Sequence, residues 1–207
     1  IDAVLSLTKE LLAGSEAPCV GVAIGVPGPT DAQGQKVVFS ESLGWSDVPL
    51  AQRLAAKVPY PVTVINRPRA GVLGEHWYGA GVGINDLIYV SISSGIGSGI
   101  LIGGRLFTGA SGYNGELGHT TVLVEGAECV CGNRGCLETV ASVPAIARAI
   151  DQRLQAGEPS ILAEALRTQG QLRYQDIIAA VRDGDAVALD EAKNAGRFVG
   201  IAVANLI

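Results

Sequence analysis

The chain has 207 residues, 48% hydrophobic and 17% charged, and its 15 Lys and Arg against 20 Asp and Glu leave a net charge of −5. That size and apolar content suffice for one large domain or two small lobes with a substantial core. The acidic balance excludes a long-range pull on nucleic acid or anionic lipid by the chain itself. No run of 18 apolar residues occurs, which excludes a membrane-spanning helix of ordinary length.

In chain order, Ile1, Val4, Leu5, Leu11 and Leu12 stand at helical spacing. This opening segment lacks a basic stretch before its apolar residues, and Lys9 and Glu10 interrupt it, so it reads as an amphipathic helix and not a signal peptide. "CVGVAIGV" (19–26) is short, β-branched and apolar, the pattern of a buried strand, with Cys19 as a small core residue. "PGPTDAQGQ" (27–35) is rich in turn formers. A helix is expected after Ser46-Asp47, through "PLAQRLAAKV". "PVTVIN" (61–66) reads as a second buried strand, followed by a helical "RAGVLGEHWYGAG". This alternation predicts an α/β layer with a mostly parallel sheet.

The texture then changes. "DLIYVSIS" and "GSGILIGGRLFTG" predict two strands of an antiparallel hairpin joined at "SGIG". After residue 138 the chain reads as helix, with Ser142 as an N-cap, Pro144 in the first turn and a break at Gly157-Glu158-Pro159. A boundary is expected near residues 70–80, dividing the chain into lobes 1–75 and 76–207. The chain opens without Met and closes inside the apolar run "GIAVANLI", so both ends read as cuts through a longer protein. His76 and Trp77 are expected to pack as an aromatic cluster at a helix end, and Arg105 and Arg134 to be solvated.

Between these parts lies "CVCGNRGCLE" (129–138), which holds three of the four cysteines. His119, in "GELGHT", stands ten residues before the first of them. Cys129, Cys131, Cys136 and His119 make the Cys3His set of a structural, tetrahedral zinc site. Gly132 and Gly135 would let the loop fold back so that three sulfurs face one point. The competing reading is a cluster of reduced or disulfide-bonded cysteines. Nothing signals secretion, where disulfides are at home, and the Cys-x-x-Cys of a redox pair is absent. Four protein ligands would close the site and leave no open position for catalysis.

The combination "GELGHTTV…CVCGNRGCLE" resembles the signature of the ROK family of sugar kinases and sugar-responsive transcriptional repressors. "GVAIGVPGPTDAQG", "SLGWSDVPL", "SSGIGSGILIGGRLFTGASGYNGELGH" and "GRFVGIAVANLI" resemble further family segments, so the likeness covers essentially the whole chain. It implies an actin-like ATPase, ribonuclease H-like α/β fold of two lobes around a cleft, here incomplete and carrying a zinc loop. The first phosphate-holding strand-turn of the kinases and the winged helix-turn-helix of the repressors would both lie outside these residues. The glycine-rich "SSGIGSGI" matches neither the Gly-x4-Gly-Lys-Ser/Thr nor the Gly-x-Gly-x-x-Gly phosphate loop.

The resemblance further implies that Asn66, Glu116, His119 and Glu138 bind sugar hydroxyls. His119 would ligate zinc through one nitrogen and face the sugar with the other. In the family's kinases an Asp that follows the Asn takes the proton from the attacking hydroxyl. Here that place holds Arg67, and a guanidinium cannot accept a proton. A shift of register by one residue is the competing account, with Asp47 and Glu75 the nearest other acids. Arg67 and Ser42, which replaces an Asn, point to a changed ligand such as a sugar phosphate or sugar acid. Alternatively, Arg67 pairs with a local carboxylate and ligand binding is lost. The expected protein is the effector-binding region of a cytoplasmic, homo-oligomeric regulator that has no catalytic residue and contacts DNA only through a helix-turn-helix outside this chain. The alternative is an incomplete sugar kinase of the glucokinase type.

Overall fold

A computed structural model describes residues 1–14, 18–110 and 112–206 of the chain. Its contacts form two compact units that exchange chain three times. One comprises Ile1–Tyr89 and Ser98–Gly115, the other Val90–Gly97 and Glu116–Ile207.

In the first unit, helix α1 (Asp2–Ala13) packs Leu5 into the core, with Ile1 and Val4 against it. Strand β1 (Val22–Val26) pairs in parallel with β4 (Val62–Asn66), in register from Val22 opposite Val62 to Val26 opposite Asn66. Alternate residues Val26, Val62 and Val64 enter the core, as the two-residue period of a strand requires. Helix α2 (Leu50–Ala55) covers them with Leu50, Ala51 and Leu54. Helix α3 (Arg67–Tyr78) starts directly from β4 with Asn66 at its N-cap and Pro68 in its first turn, where a missing N–H costs nothing.

Three features depart from the sequence reading. Ser46 and Asp47 do not start a helix. They lie in strand β3 (Trp45–Val48), antiparallel to β2 (Val37–Ser40), and the helix begins at Leu50. Asp47 has φ 50°, in the left-handed region, and its carboxylate accepts from Lys36 Nζ at 2.6 Å across that hairpin. The first strand begins at Val22, so Cys19 precedes it and is only half-buried, with its thiol 3.5 Å from the Gly21 carbonyl. Trp77 and Tyr78 are 59% and 88% exposed, and stack edge-to-face on each other at the end of α3.

Strands β5 (Leu87–Ile92), β6 (Ile96–Ile102) and β7 (Arg105–Leu106) form a sheet in that order. The run expected as one strand after the turn is split by Gly103-Gly104, and its second half folds back as β7, antiparallel to β6.

The second unit is largely helical: α4 (Leu137–Ala141), α5 (Val143–Gln155), α6 (Leu162–Gln169), α7 (Tyr174–Arg182) and α8 (Ala186–Ala204). Ser142 caps α5, its Oγ accepting from the Ala145 amide at 3.3 Å, and α5 ends two residues before Gly157. Two apolar clusters hold the unit. One joins Ile150, Leu162, Leu172, Ile177, Val187 and Ala188; the other joins Ile96, Leu117, Leu137, Ala141, Ala195 and Ala202. No helix among the described residues is long and apolar enough to cross a membrane.

Candidate metal centre

The segment after Glu116 makes a short 3-10 turn, Leu117–His119, closed by the His119 amide bonding the Glu116 carbonyl at 3.1 Å. The cysteine loop returns beside this turn. Thr121 bridges Cys136, Glu128 bridges Arg134, and the Leu137 amide donates to the Thr120 carbonyl at 2.9 Å. Within the loop the Cys129 amide reaches the Asn133 carbonyl at 2.8 Å and the Gly132 amide the Cys129 carbonyl at 2.9 Å. Gly135 has φ 65°, and a Cβ there would sit 1.6 Å from the Leu123 carbonyl oxygen, so no other residue fits. Arg134 is exposed, as the sequence suggested, and forms an ion pair with Glu128 across the loop's neck.

These contacts bring one ligand atom each from His119, Cys129, Cys131 and Cys136 within 4.8 Å of one another. Cys129 Sγ lies 3.5 Å from His119 Nδ1, and Cys131 Sγ lies 3.7 Å from Cys136 Sγ. A tetrahedral zinc with Zn–S of about 2.3 Å and Zn–N of about 2.0–2.1 Å sets neighbouring sulfurs about 3.8 Å apart and a sulfur–nitrogen pair about 3.5 Å apart. These two separations match edges of such a tetrahedron, and all four ligand atoms lie within 4.8 Å of one another. All four cysteines are free, including the 3.7 Å pair, so the loop is closed without a disulfide.

The environment of the cluster acts differently on its three thiols. Burial, and then the thiols of Cys129 and Cys131, push the Cys136 thiol up to about 12. Burial raises Cys129 as well. Cys131 goes the other way: burial opposes its ionisation, but the Asn133 amide and the neighbouring thiols outweigh it. Cys129 and Cys136 resist ionisation, and a bound metal would favour their thiolates. The residues therefore fit a closed structural site, with His119 presenting Nδ1 to it.

The remaining candidate residues lie in both units. In the unit that holds the cluster, Glu138 opens α4 two residues after Cys136, half-buried, and its Oε2 accepts from the Ile96 amide at 2.7 Å. Glu116 immediately precedes the turn that carries His119 and is also half-buried. In the other unit, Asn66 is 7% exposed and its Nδ2 donates to the Gly28 carbonyl at 2.9 Å. Arg67 is exposed and forms no ion pair among the described residues, so the pairing with a local carboxylate finds no partner there. Two residues on, Arg69 is 3% exposed and bonds the carbonyls of Gly112 and Asn114, the latter at 2.8 Å. Sequence reasoning passed over Arg69; its place two residues into an α-helix after a strand carries no motif signal.

The ROK family profile matches residues 1–207 of the chain. The chain belongs to the ROK family. Among its curated ROK relatives, a xylose repressor of Bacillus subtilis is 37% identical over 188 residues, 91% of this chain and 45% of the repressor. A glucokinase of Halalkalibacterium halodurans is 36% identical over 193 residues, 93% of this chain and 58% of the enzyme. The crystal structure of a ROK family transcriptional regulator, a homologue of the E. coli MLC protein, superposes with a TM-score of 0.88 at 34% identity, over 99% of this chain and 52% of that one. A ROK glucokinase from Streptomyces griseus, in complex with glucose and AMPPNP, gives 0.86 at 32% identity, over 99% and 67%. The chain thus has the ROK α/β fold and spans about half the length of these curated relatives, which include both repressors and kinases.

Proposed function

We propose that these residues are the effector-binding region of a ROK-type transcriptional regulator without sugar-kinase activity. The observation that carries this reading is Arg67 at the first position of α3, directly after the strand that ends in Asn66. The ROK resemblance puts a proton-accepting Asp at that place in kinases. Asn66 is the last residue of the strand and Arg67 the first of the helix, the place where the resemblance puts the Asn-Asp pair. Loss of a general base costs roughly 10²–10⁴-fold in rate. The xylose-repressor relatives and the regulator structure are consistent with this reading.

In this reading the cluster holds one structural zinc, and its role is to fix His119. With Nδ1 on the metal, the other ring nitrogen carries the proton and donates to a sugar hydroxyl. Glu116 and Glu138 accept from neighbouring hydroxyls, Asn66 contributes its amide, and Arg67 meets a negatively charged group of the effector. The effector is then a sugar or an anionic sugar derivative, and operator DNA is bound by a helix-turn-helix outside these residues. We place the protein in the cytoplasm as a homo-oligomer, with lobes 1–75 and 76–207. The second reading, a glucokinase-like enzyme, is favoured by kinase relatives of similar identity to the repressors. A coupled ATP assay of the full-length protein over hexoses, N-acetylhexosamines and pentoses separates the two. The regulator reading expects no turnover; turnover at or above about 1 s⁻¹, the low end for kinases, overturns it.

A further inference from the structure

The metal cluster and the turn between β5 and β6 meet at one backbone position. On one flank of the cluster, Gly118 precedes the ligand His119, and a Cβ on it would sit 2.1 Å from the Ile96 carbonyl oxygen. On the other, Glu138 follows the ligand Cys136 by two residues, and its Oε2 accepts from the Ile96 amide at 2.7 Å. One side of the cluster thus packs its backbone closely on the Ile96 carbonyl, and the other bonds the amide of the same residue. Gly95 leaves the carboxylate its path, since a Cβ there would lie 2.5 Å from Oε2. The turn itself is closed by the Ser93 amide on the Gly95 carbonyl at 2.8 Å, and the Val143 amide at the start of α5 donates to the Ser93 carbonyl at 2.9 Å. Ile96 is 4% exposed and shares an apolar cluster with Leu117 and Leu137, which neighbour the two flanks.

We infer that Glu138 is a positioning residue that couples metal occupancy to the conformation of the Ser93–Ile96 turn. The inference rests on reading the cluster as a metal centre and adds a consequence to it. The two arms at Ile96 stay in register only while His119 and Cys136 are held at one point. Release of the metal frees the loop's end at Cys136, and with it the carboxylate that fixes the Ile96 amide. A metal centre with no catalytic position would in this way set the shape of a glycine-containing turn beside it.

The Ile96 amide reports the coupling directly, because hydrogen exchange reads the opening of that bond. The full-length protein is prepared with zinc, its metal content is measured, and exchange is followed by residue-resolved mass spectrometry or NMR. A backbone bond to a charged acceptor contributes about 1.5–3 kcal/mol, so its loss accelerates exchange about ten- to a hundredfold. Zinc-loaded Glu138→Ala is expected to show that acceleration at Ile96, and Glu138→Gln, which keeps a neutral acceptor, a smaller one. Chelation of the wild-type protein should accelerate exchange at Ile96 at least as much. If Glu138→Ala fails to load zinc while its circular dichroism remains native, the same coupling is read from its other end, since linkage is reciprocal. Wild-type exchange at Ile96 in both zinc-loaded variants overturns the inference, as does unchanged exchange in folded, metal-free wild type. Failure of the wild-type protein to take up zinc overturns the metal reading itself, and is seen in the metal content before any exchange is measured.

Discussion

The four metal ligands show how far single residues carry their chemistry. Three thiols and an imidazole at the spacing of His119, Cys129, Cys131 and Cys136 announce a soft-metal site, because few other uses gather those groups. The structure adds two separations that suit a tetrahedral metal, 3.5 and 3.7 Å, and the identity of the nitrogen that faces the thiols, Nδ1. Neither was legible, since both depend on how the loop closes around Gly135. The ion pair of Arg134 with Glu128 was not legible for the same reason, since Glu128 is a neighbour only once the loop has formed; Arg134 itself is exposed, as expected. Two outcomes are expected. Purified protein carries one equivalent of zinc by elemental analysis, and Cys136→Ser or Gly135→Ala removes it. At free zinc 1,000-fold above Kd, binding stabilises the fold by about 4 kcal/mol. For a chain of this size that corresponds to a melting temperature about 8–16 °C lower after chelation, measured by scanning calorimetry.

At the level of elements, helices were easier to read than strands. The two central strands announce themselves as apolar runs, and Ser142 and the break at Gly157 mark the limits of α5. Strands β2 and β3 escaped notice because Phe39 is 52% exposed and Trp45–Val48 alternates weakly, so no buried face shows in the sequence. The Ser46-Asp47 pair looked like a helix cap. Its carboxylate serves a cross-strand pair with Lys36 instead. A genuine cap is Asp185, whose Oδ1 accepts from the Ala188 amide at 2.9 Å while Oδ2 accepts from the Ile161 amide at 3.0 Å. One side chain thus starts α8 and ties down the approach to α6. Asp185→Ala should cost about 1–2 kcal/mol, measured by denaturant titration, with the upper end expected because two amides lose their acceptor. The carboxyl is held below its ordinary range: burial opposes ionisation, but the amides of Ala188 and Ile161 outweigh it. Asp176, paired with Arg173 at the start of α7, is held at about 2. Both pKa values are depressed on folding, so their stabilisation is complete above the unfolded value of about 3.9 and is lost as pH falls below it, for Asp176 toward about 2. Acid titration followed by circular dichroism should show stability falling across that window, and Asp185→Asn should flatten part of the fall.

At the scale of the molecule, the α/β class and the ROK likeness were legible because they rest on long segments, whereas the packing units were not. Their exchanges at residues 89, 97 and 115 fall within β5, within β6 and just before the metal ligands' turn, where the sequence has no linker. Net charge is the whole-molecule property that bears most directly on function. With 20 acidic against 15 basic residues, the chain has no net attraction for a polyanion. Each phosphate neutralised by a protein cation contributes to affinity through counterion release, and this surface has no excess of cations to supply. The 207-residue chain should therefore show no DNA binding even at 50 mM salt, where non-specific contacts are strongest. If the regulator reading holds, the full-length protein should bind operator DNA with affinity that falls steeply with salt, and release it on adding effector. If the anionic-effector reading of Arg67 holds, a sugar phosphate or sugar acid should release DNA at about ten- to a hundredfold lower concentration than the parent neutral sugar, the span of one charge-assisted contact. Arg67→Gln should erase that preference and leave release by the neutral sugar in place. Fluorescence anisotropy of a labelled operator measures both, and a neutral sugar that acts at lower concentration than its anionic derivatives would remove Arg67 from the effector site.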